Sequence, residues 1–227
     1  IHYLKKSVVI IPAHNEENHI ESTIKNLQNC QPSSDIVVVA DNCTDRTQII
    51  SIATGARVFV RNDPEHIGKP FALIYALEKL FEEGYEIYII VDADCIVSPN
   101  LFEEIQSKFD SGAQVLQIYN GIYLDKPSFF QRLQRIAFES INHLRPLAKT
   151  ALGLSAGIHG TGFAISKEAL QIVPFLSESL AEDLEYHLRI IQADFSVQFT
   201  DQAWILSSPP LSIKGSTTQK TRWEGDR

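Results

Sequence analysis

Asp92 and Asp94 stand one residue apart at the end of the apolar run Ile87-Tyr88-Ile89-Ile90-Val91. Carboxylates are hard oxygen ligands suited to Mg²⁺ or Mn²⁺. At positions i and i+2 of a strand, both would reach one ion or one ligand. A run of this length, rich in β-branched residues, reads as a strand buried on both faces. In an open α/β sheet, ligands gather beyond the carboxyl ends of such strands. Asp-x-Asp is short enough to recur by chance, and a solvated strand-end turn is the competing reading. The surrounding residues must therefore decide between them.

Other residues with chemical potential are scattered along the chain. Asp41 ends a second apolar run and is suited either to a base or ribose or to capping the next helix. Gly68-Lys69 at a helix start would bring backbone N–H groups and one cation near a phosphate, although the P-loop spacing is missing. His159 lies in the Gly-rich stretch Ser155–Ile165 as a metal ligand, a substrate contact or a satisfied loop histidine. Glycines there permit close backbone approach. Glu182 and Asp183 open a helix, where acids commonly complement the dipole. Gln219 to Trp223 reads on its own as one amphipathic helical turn.

These residues need elements to hold them. Apolar runs predict strands over Ser7–Ile11 (stopped by Pro12), Asp35–Ala40, Arg57–Arg61, Ile87–Val91 and Gln114–Tyr119. Between them lie helical stripes: Ile20, Ile24 and Leu27, with Asn15 as N-cap; Ala72, Leu73, Ala76, Leu77 and Leu80; and Leu101, Phe102, Ile105 and Phe109, started by Ser98 or Pro99. Strict β-α alternation implies a parallel sheet with helices on both faces. After about residue 125 the pattern changes. One helix is expected over Phe129–Ala148, another from Leu180 through Ile191, short strands over Ser196–Phe199 and Ala203–Leu206, and a lid-like loop from Pro209 to Thr218.

Composition narrows the class. The 227 residues suit one large α/β domain or two small ones, and a hydrophobic content of 44% is ordinary for a globular core. A net charge of −8 argues against nucleic acid as a partner. Cys30, Cys43 and Cys95 are three in number and widely spaced, which reads as reduced thiols in a cytosolic setting, with Cys95 a packing residue. No apolar run reaches the roughly 18 residues of a membrane span. The chain has no Met, so its natural start is expected to lie upstream.

Taken in order, the motifs resemble those of the family-2 glycosyltransferases of GT-A fold. They are Pro12-Ala13-His14-Asn15-Glu16-Glu17, Ala40-Asp41-Asn42-Cys43-Thr44-Asp45, Gly68-Lys69, Asp92-Ala93-Asp94, Gly160-Thr161-Gly162, Glu182-Asp183 and Gln219-x-x-Arg222-Trp223. The last resembles the membrane-associated branch that includes cellulose, chitin, hyaluronan and ceramide-glucoside synthases. The resemblance implies an α/β fold of GT-A type: a Rossmann-like, mostly parallel central sheet, helices on both faces and a smaller mixed acceptor-side region. Residues 1–120 would form the donor half, and 121–227 the acceptor and catalytic-base half.

It also implies inverting, metal-assisted transfer of a sugar from a nucleotide-diphospho-sugar, UDP-sugar ahead of GDP-sugar, to an acceptor hydroxyl. Asp94 would hold Mn²⁺ or Mg²⁺ and Asp92 the ribose or the metal. Asp41 would meet the base; Pro12, Ala13, Asn15 and Glu16 would line the nucleotide, and Lys69 would contact it. Asp183 would be the base and Glu182 its helper. His159 and Gly160 would belong to the substrate pocket. Gln219, Arg222 and Trp223 would complete it, Arg222 at the diphosphate and Trp223 as an apolar wall for sugar. Position 42 is Asn where many relatives carry an acid. The resemblance further implies membrane segments beyond Trp223 and a place in the cytoplasm or at the cytoplasmic face of a membrane. A sugar-phosphate nucleotidyltransferase and a non-catalytic nucleotide-sugar-binding module are the alternatives.

Overall fold

The computed structural model describes residues 5–31, 34–124, 127–176 and 182–207. Strands β1 (Ser7–Ala13), β2 (Asp35–Asp41), β3 (Arg57–Arg61) and β4 (Ile87–Ile90) run parallel in the order β3-β2-β1-β4. Crossover helices α1 (Ile20–Cys30), α2 (Thr47–Ala53) and α3 (Lys69–Leu80) join them. Side chains alternate across the sheet, as the two-residue period of a strand requires. Val8, Ile10, Val37, Val39, Tyr88 and Ile90 pack on the α3 face with Ala72, Leu73, Ala76, Leu77 and Leu80. Val9, Ile11, Ile36, Val38, Ile87 and Ile89 pack on the opposite face with Ile20, Ile24 and Leu27 of α1. Each fully buried Val, Ile or Leu among them contributes roughly 1.5–3 kcal/mol.

Beyond β4 come β5 (Cys95–Val97), α4 (Leu101–Asp110) and β6 (Val115–Ile122). A helical segment follows, made of α5 (Phe129–Glu139), a π-helical turn (Ser140–Leu144) and α6 (Arg145–Ala151). The described chain closes with β7 (Phe163–Ser166), α7 (Lys167–Ile172), α8 (Glu182–Gln192) and β8 (Val197–Ser207). All eight strands form one sheet, ordered β3-β2-β1-β4-β7-β6-β8-β5. Among the described residues four strand pairings are parallel and three antiparallel, so the sheet is mostly parallel with a mixed half.

Several local expectations are corrected. β1 does not stop at Pro12 but runs through it, with Pro12 opposite Val39. Strict alternation fails after β4: β7 inserts antiparallel between β4 and β6, a long-range pairing that local periodicity does not encode. Asp92 and Asp94 lie in the turn between β4 and β5, not on the strand itself. The single helix of 129–148 extends to Ala151 and contains a π turn. The two short strands near the end are one strand, β8. Its register against β6 jumps from Ile118–Thr200 to Tyr119–Trp204, so residues 201–203 bulge out. Asp201 in that bulge meets His143 of the π turn, Nε2 to Oδ2 at 2.9 Å, and fastens the helical segment to the sheet.

Gly162 sits where this mixed half meets the parallel half. Its N–H donates to the Ile90 carbonyl at 2.9 Å, its φ is +69°, and an added Cβ would lie 3.1 Å from Ile205 Cδ1. Gly162→Ala is expected to cost about 1–3 kcal/mol from left-handed backbone strain and overpacking. Urea unfolding of the variant beside wild type measures this.

Candidate active site

Two polar loops close the carboxyl ends of β1 and β2. Asn15 takes a left-handed conformation (φ 57°) and does not cap a helix, since α1 starts only at Ile20. Instead its Oδ1 accepts from the N–H groups of Thr44 at 2.8 Å and Asp45 at 3.3 Å, stitching the first loop to the second. Glu16 N donates to Thr47 Oγ1 at 2.7 Å, and Glu17 N donates to Asp45 Oδ2 at 3.0 Å. The Glu16 carboxylate meets His19 Nδ1 at 3.0 Å. Ala13 is buried and Pro12 half-buried at the end of β1. Cys43 donates to the Ala13 carbonyl at 3.3 Å.

Asp41 is buried and does not cap α2. Its Oδ1 accepts from Arg61 Nη1 at 2.7 Å and from Asn42 Nδ2 at 3.2 Å. Arg61 reaches on to Asp63 Oδ2 at 3.0 Å. Sequence reading misses Arg61 because its signal is a register: Asp41 pairs with Arg61 across β2 and β3. Asn42 bonds both Asp41 and the backbone of Asp63.

The centre lies one strand further on. Lys69, the first residue of α3, forms an ion pair with Asp92, and its Nζ also donates to the Gly160 carbonyl at 2.7 Å. Asp92 N donates to Thr161 Oγ1 at 3.1 Å. A Cβ placed on Gly160 would stand 3.9 Å from Asp183 Oδ2, so the start of α8 faces the same loop. Thus α3, the turn after β4, the 157–162 loop and α8 converge on one point. Asp94 is half-buried, and its pKa is raised, first by burial and then by the charges of Asp92 and Glu16. Burial pushes the Cys95 thiol up to about 12, which fits a packing role.

His159 stands apart from this acidic group. Its Nε2 is buried with no partner among the described residues, near Gly157, whose added Cβ would lie 3.3 Å away. Burial, then the cations Arg145 and Lys149, lower its pKa to about 4. His187 of α8 is close by, with Nε2 at 2.9 Å from Ser155 Oγ. The loop is held by Gln117, a fully buried amide in β6 that sequence reading also misses. Gln117 Oε1 accepts from His159 N, and Nε2 donates to the Thr161 carbonyl, both at 2.9 Å. A polar residue inside an apolar strand is the signal that could have found it, since a buried amide needs partners. The side chain of Glu182, the loop from Pro209 to Thr218, and Gln219, Arg222 and Trp223 lie outside the described residues. Among the described residues no group of three or more His, Cys, Asp or Glu side chains is arranged to hold a metal.

The family profile described as "Glycosyltransferase like family 2" matches residues 6–225. The chain belongs to this family. It carries a glycosyltransferase domain of GT-A fold. A relative, the probable glycosyltransferase YdaM of Bacillus subtilis (strain 168), is 27% identical over 235 residues, covering 97% of this chain and 54% of its own. The chain thus spans about half the length of that relative. Among solved structures, the mannosyltransferase PcManGT from Pyrobaculum calidifontis, in complex with GDP-Man and Mn²⁺, superposes with a TM-score of 0.72 at 18% identity. That match covers 97% of this chain and 61% of the mannosyltransferase. Glucosyl-3-phosphoglycerate synthase from Mycobacterium tuberculosis, in complex with Mn²⁺, UDP and phosphoglyceric acid, gives 0.61 at 21% identity over 98% and 80% of the two chains. No helix among the described residues of this family-2 chain is long and apolar enough to cross a membrane.

The depressed pKa of His159 gives a pH prediction. Unfolded, this imidazole titrates near 6.5; folded, near 4. The unfolded chain therefore binds the extra proton, and the stability tied to neutral His159 is lost as pH falls from about 6.5 towards 4. His159→Gln should flatten that limb by on the order of 2–3 kcal/mol, as read from urea titrations at several pH values.

Proposed function

We propose that this chain performs inverting, metal-assisted transfer of a sugar from a nucleoside diphosphate sugar, UDP-sugar foremost, to an acceptor hydroxyl. The observation that carries the reading is the Lys69 bridge from Asp92 to the Gly160 carbonyl, with the Asp183 carboxylate facing Gly160. Asp94, two residues after Asp92, adds a second carboxylate suited to a donor's diphosphate side, and Asp183 is the one suited to deprotonating an acceptor. Residues up to 120 would serve the donor and those from 121 the acceptor and the base.

The acidic turn fits a divalent cation. Asp94 is disfavoured as an anion by burial and by its neighbours Asp92 and Glu16, which is the environment a dication relieves. With Asp92 and Asp94 in one turn, the site suits Mg²⁺ or Mn²⁺, which take one or two carboxylates and complete their shell with phosphate oxygens and water. Asp94 would be the ligand, with Asp92 supporting it or holding the ribose. The ion's contribution would be to offset negative charge on the departing diphosphate. The Mn²⁺ complexes of the mycobacterial synthase and the archaeal mannosyltransferase support this choice.

This chain's own residues would do the rest. Asp41, steadied by Arg61 and Asn42, would accept from the base, while the backbone of Pro12 and Ala13 and the loop of Asn15 and Glu16 would line the nucleotide. Lys69 would exchange Asp92 for a phosphate oxygen. Asp183, assisted by Glu182, would take the acceptor hydroxyl's proton on the face opposite the leaving group. The sugar would pass through an oxocarbenium-like state, as in glycoside hydrolysis. His159 and Gly160 would border the sugar and acceptor. Gln219, Arg222 and Trp223 would close the site, with Arg222 adding charge at the diphosphate.

Asp183→Asn tests the base. Turnover, followed as release of the nucleoside diphosphate, should fall by about 10²–10⁴. Donor binding, followed as the rise in melting temperature with UDP-sugar and Mn²⁺, should stay as in wild type. A variant with undiminished turnover would remove Asp183 from the mechanism, and release of pyrophosphate would make the reaction a nucleotidyl transfer.

A further inference from the structure

Beside Asp183 stands a cluster of bases to which the transfer step gives no role. From Ser140 to Lys167 the sequence holds no Asp or Glu, but it holds His143, Arg145, Lys149, His159 and Lys167, in a chain whose net charge is −8. Lys149 Nζ donates to the Ala156 carbonyl at 3.3 Å, which tethers this half-buried ammonium to the loop after α6. Arg145 is exposed, one turn earlier on α6, and with Lys149 bears on the His159 ring. Gly157 lies beside both that ring and His187 of α8. A Cβ built on it would stand 3.3 Å from His159 Nε2 and 3.8 Å from His187 Cε1. Ser155 holds His187, Oγ to Nε2 at 2.9 Å.

The positive charge of α6 is not balanced among the described residues. A carbonyl accepts from Lys149 without cancelling its charge. Neither Arg145 nor Lys149 is ion-paired among the described residues, and the acids of adjoining elements are engaged, Glu139 by Arg135 and Asp201 by His143. Arg145 and Lys149 stand four apart on one face of α6, where like charges repel. Both also press on His159, whose buried Nε2 has no partner among the described residues. The acid that bears on the cluster is Asp183, which acts on His187 from one turn earlier on α8. Residues four apart on a helix lie roughly 6 Å from each other on one face. A carboxylate suited to take a proton and a group of cations thus border one loop, a few covalent bonds apart.

We propose that the acceptor is an anionic molecule, its carboxylate or phosphate held by Arg145 and Lys149 while its hydroxyl faces Asp183. Arginine offers a planar fork and lysine a mobile point charge, and together they suit such an oxyanion. An anion seated there relieves the repulsion within α6 and between α6 and His159. A neutral sugar chain would leave both in place. His159 and His187 are positioning residues, which shape the loop between the two ends of the acceptor. The hydroxyl end rests on the reading of Asp183 given above; the anion end stands on α6 and its surroundings alone.

The test is calorimetric titration of the 227-residue chain with glycerol 3-phosphate, glycerate, glycerol and inorganic phosphate, with and without UDP and Mg²⁺. The tighter of the first two, which identifies the oxyanion, should bind at least about tenfold better than glycerol, and the margin should shrink in about 0.5 M NaCl. Arg145→Gln, at an exposed position, and Lys149→Gln should each weaken that binding about tenfold. Lys25→Gln, an equal change of charge on α1, should bind like wild type. The ring C–H resonances of His159 and His187 should shift with the anion in wild type and stay in place when both α6 cations are replaced. Asp183→Ala should remove the advantage of glycerol 3-phosphate over inorganic phosphate and leave inorganic phosphate bound as before. Anions that bind no better than glycerol, or Arg145→Gln and Lys149→Gln chains that bind them like wild type, would overturn the proposal. So would displacement of the anion by UDP with Mg²⁺, which would assign the cations to the donor. These titrations need no turnover, so the anion site stands or falls separately from the role of Asp183 as base.

Discussion

The contact on which the site depends is Lys69 with Asp92 beneath the Gly160 carbonyl. It joins the helix after β3, the turn after β4 and the loop before β7, three segments with no local reason to meet. It is also the local answer to an electrostatic problem. Asp92, Asp94 and Glu16 share one edge of the sheet, and Asp94 already feels the other two as repulsion. Lys69 is paired with Asp92 and His19 with Glu16, which leaves Asp94 as the carboxylate whose charged form burial and its neighbours disfavour. The Lys69 and Asp92 side chains are 22% and 35% exposed, which leaves the pair open to water and exchangeable.

The parallel half is largely legible in the sequence because its information is local. Apolar runs of three to five residues mark β1 to β4, and the α3 stripe from Ala72 to Leu80 is buried residue for residue. Each such element announces itself within one window of periodicity, and β-α alternation then fixes parallel order. Errors at this level were errors of edge. Pro12 continues β1, Asn15 ties loops and caps no helix, and the acidic pair begins beyond its strand.

The mixed half was less legible because its information is in pairings. Nothing within residues 163–166 says that they run antiparallel between β4 and β6, and nothing near Thr200 says that three residues will bulge. Arg61 and Gln117 were invisible for the same reason. Each is explained by what lies across the sheet, Asp41 for one and the 159–162 loop for the other. His159 allows three readings in the sequence; in the structure its buried imidazole, with a pKa lowered to about 4, has Arg145 and Lys149 as its charged neighbours.

The central claim is that the Asp92–Asp94 turn engages a nucleotide through a divalent cation. Calorimetric titration of UDP into wild type and Asp94→Asn, each with Mn²⁺ and with EDTA, tests it most directly. Wild type should bind UDP at least about tenfold, or roughly 1.4 kcal/mol, more tightly with Mn²⁺, and Asp94→Asn should lose that difference. UDP bound equally well in EDTA, or a full Mn²⁺ effect in Asp94→Asn, would contradict the account.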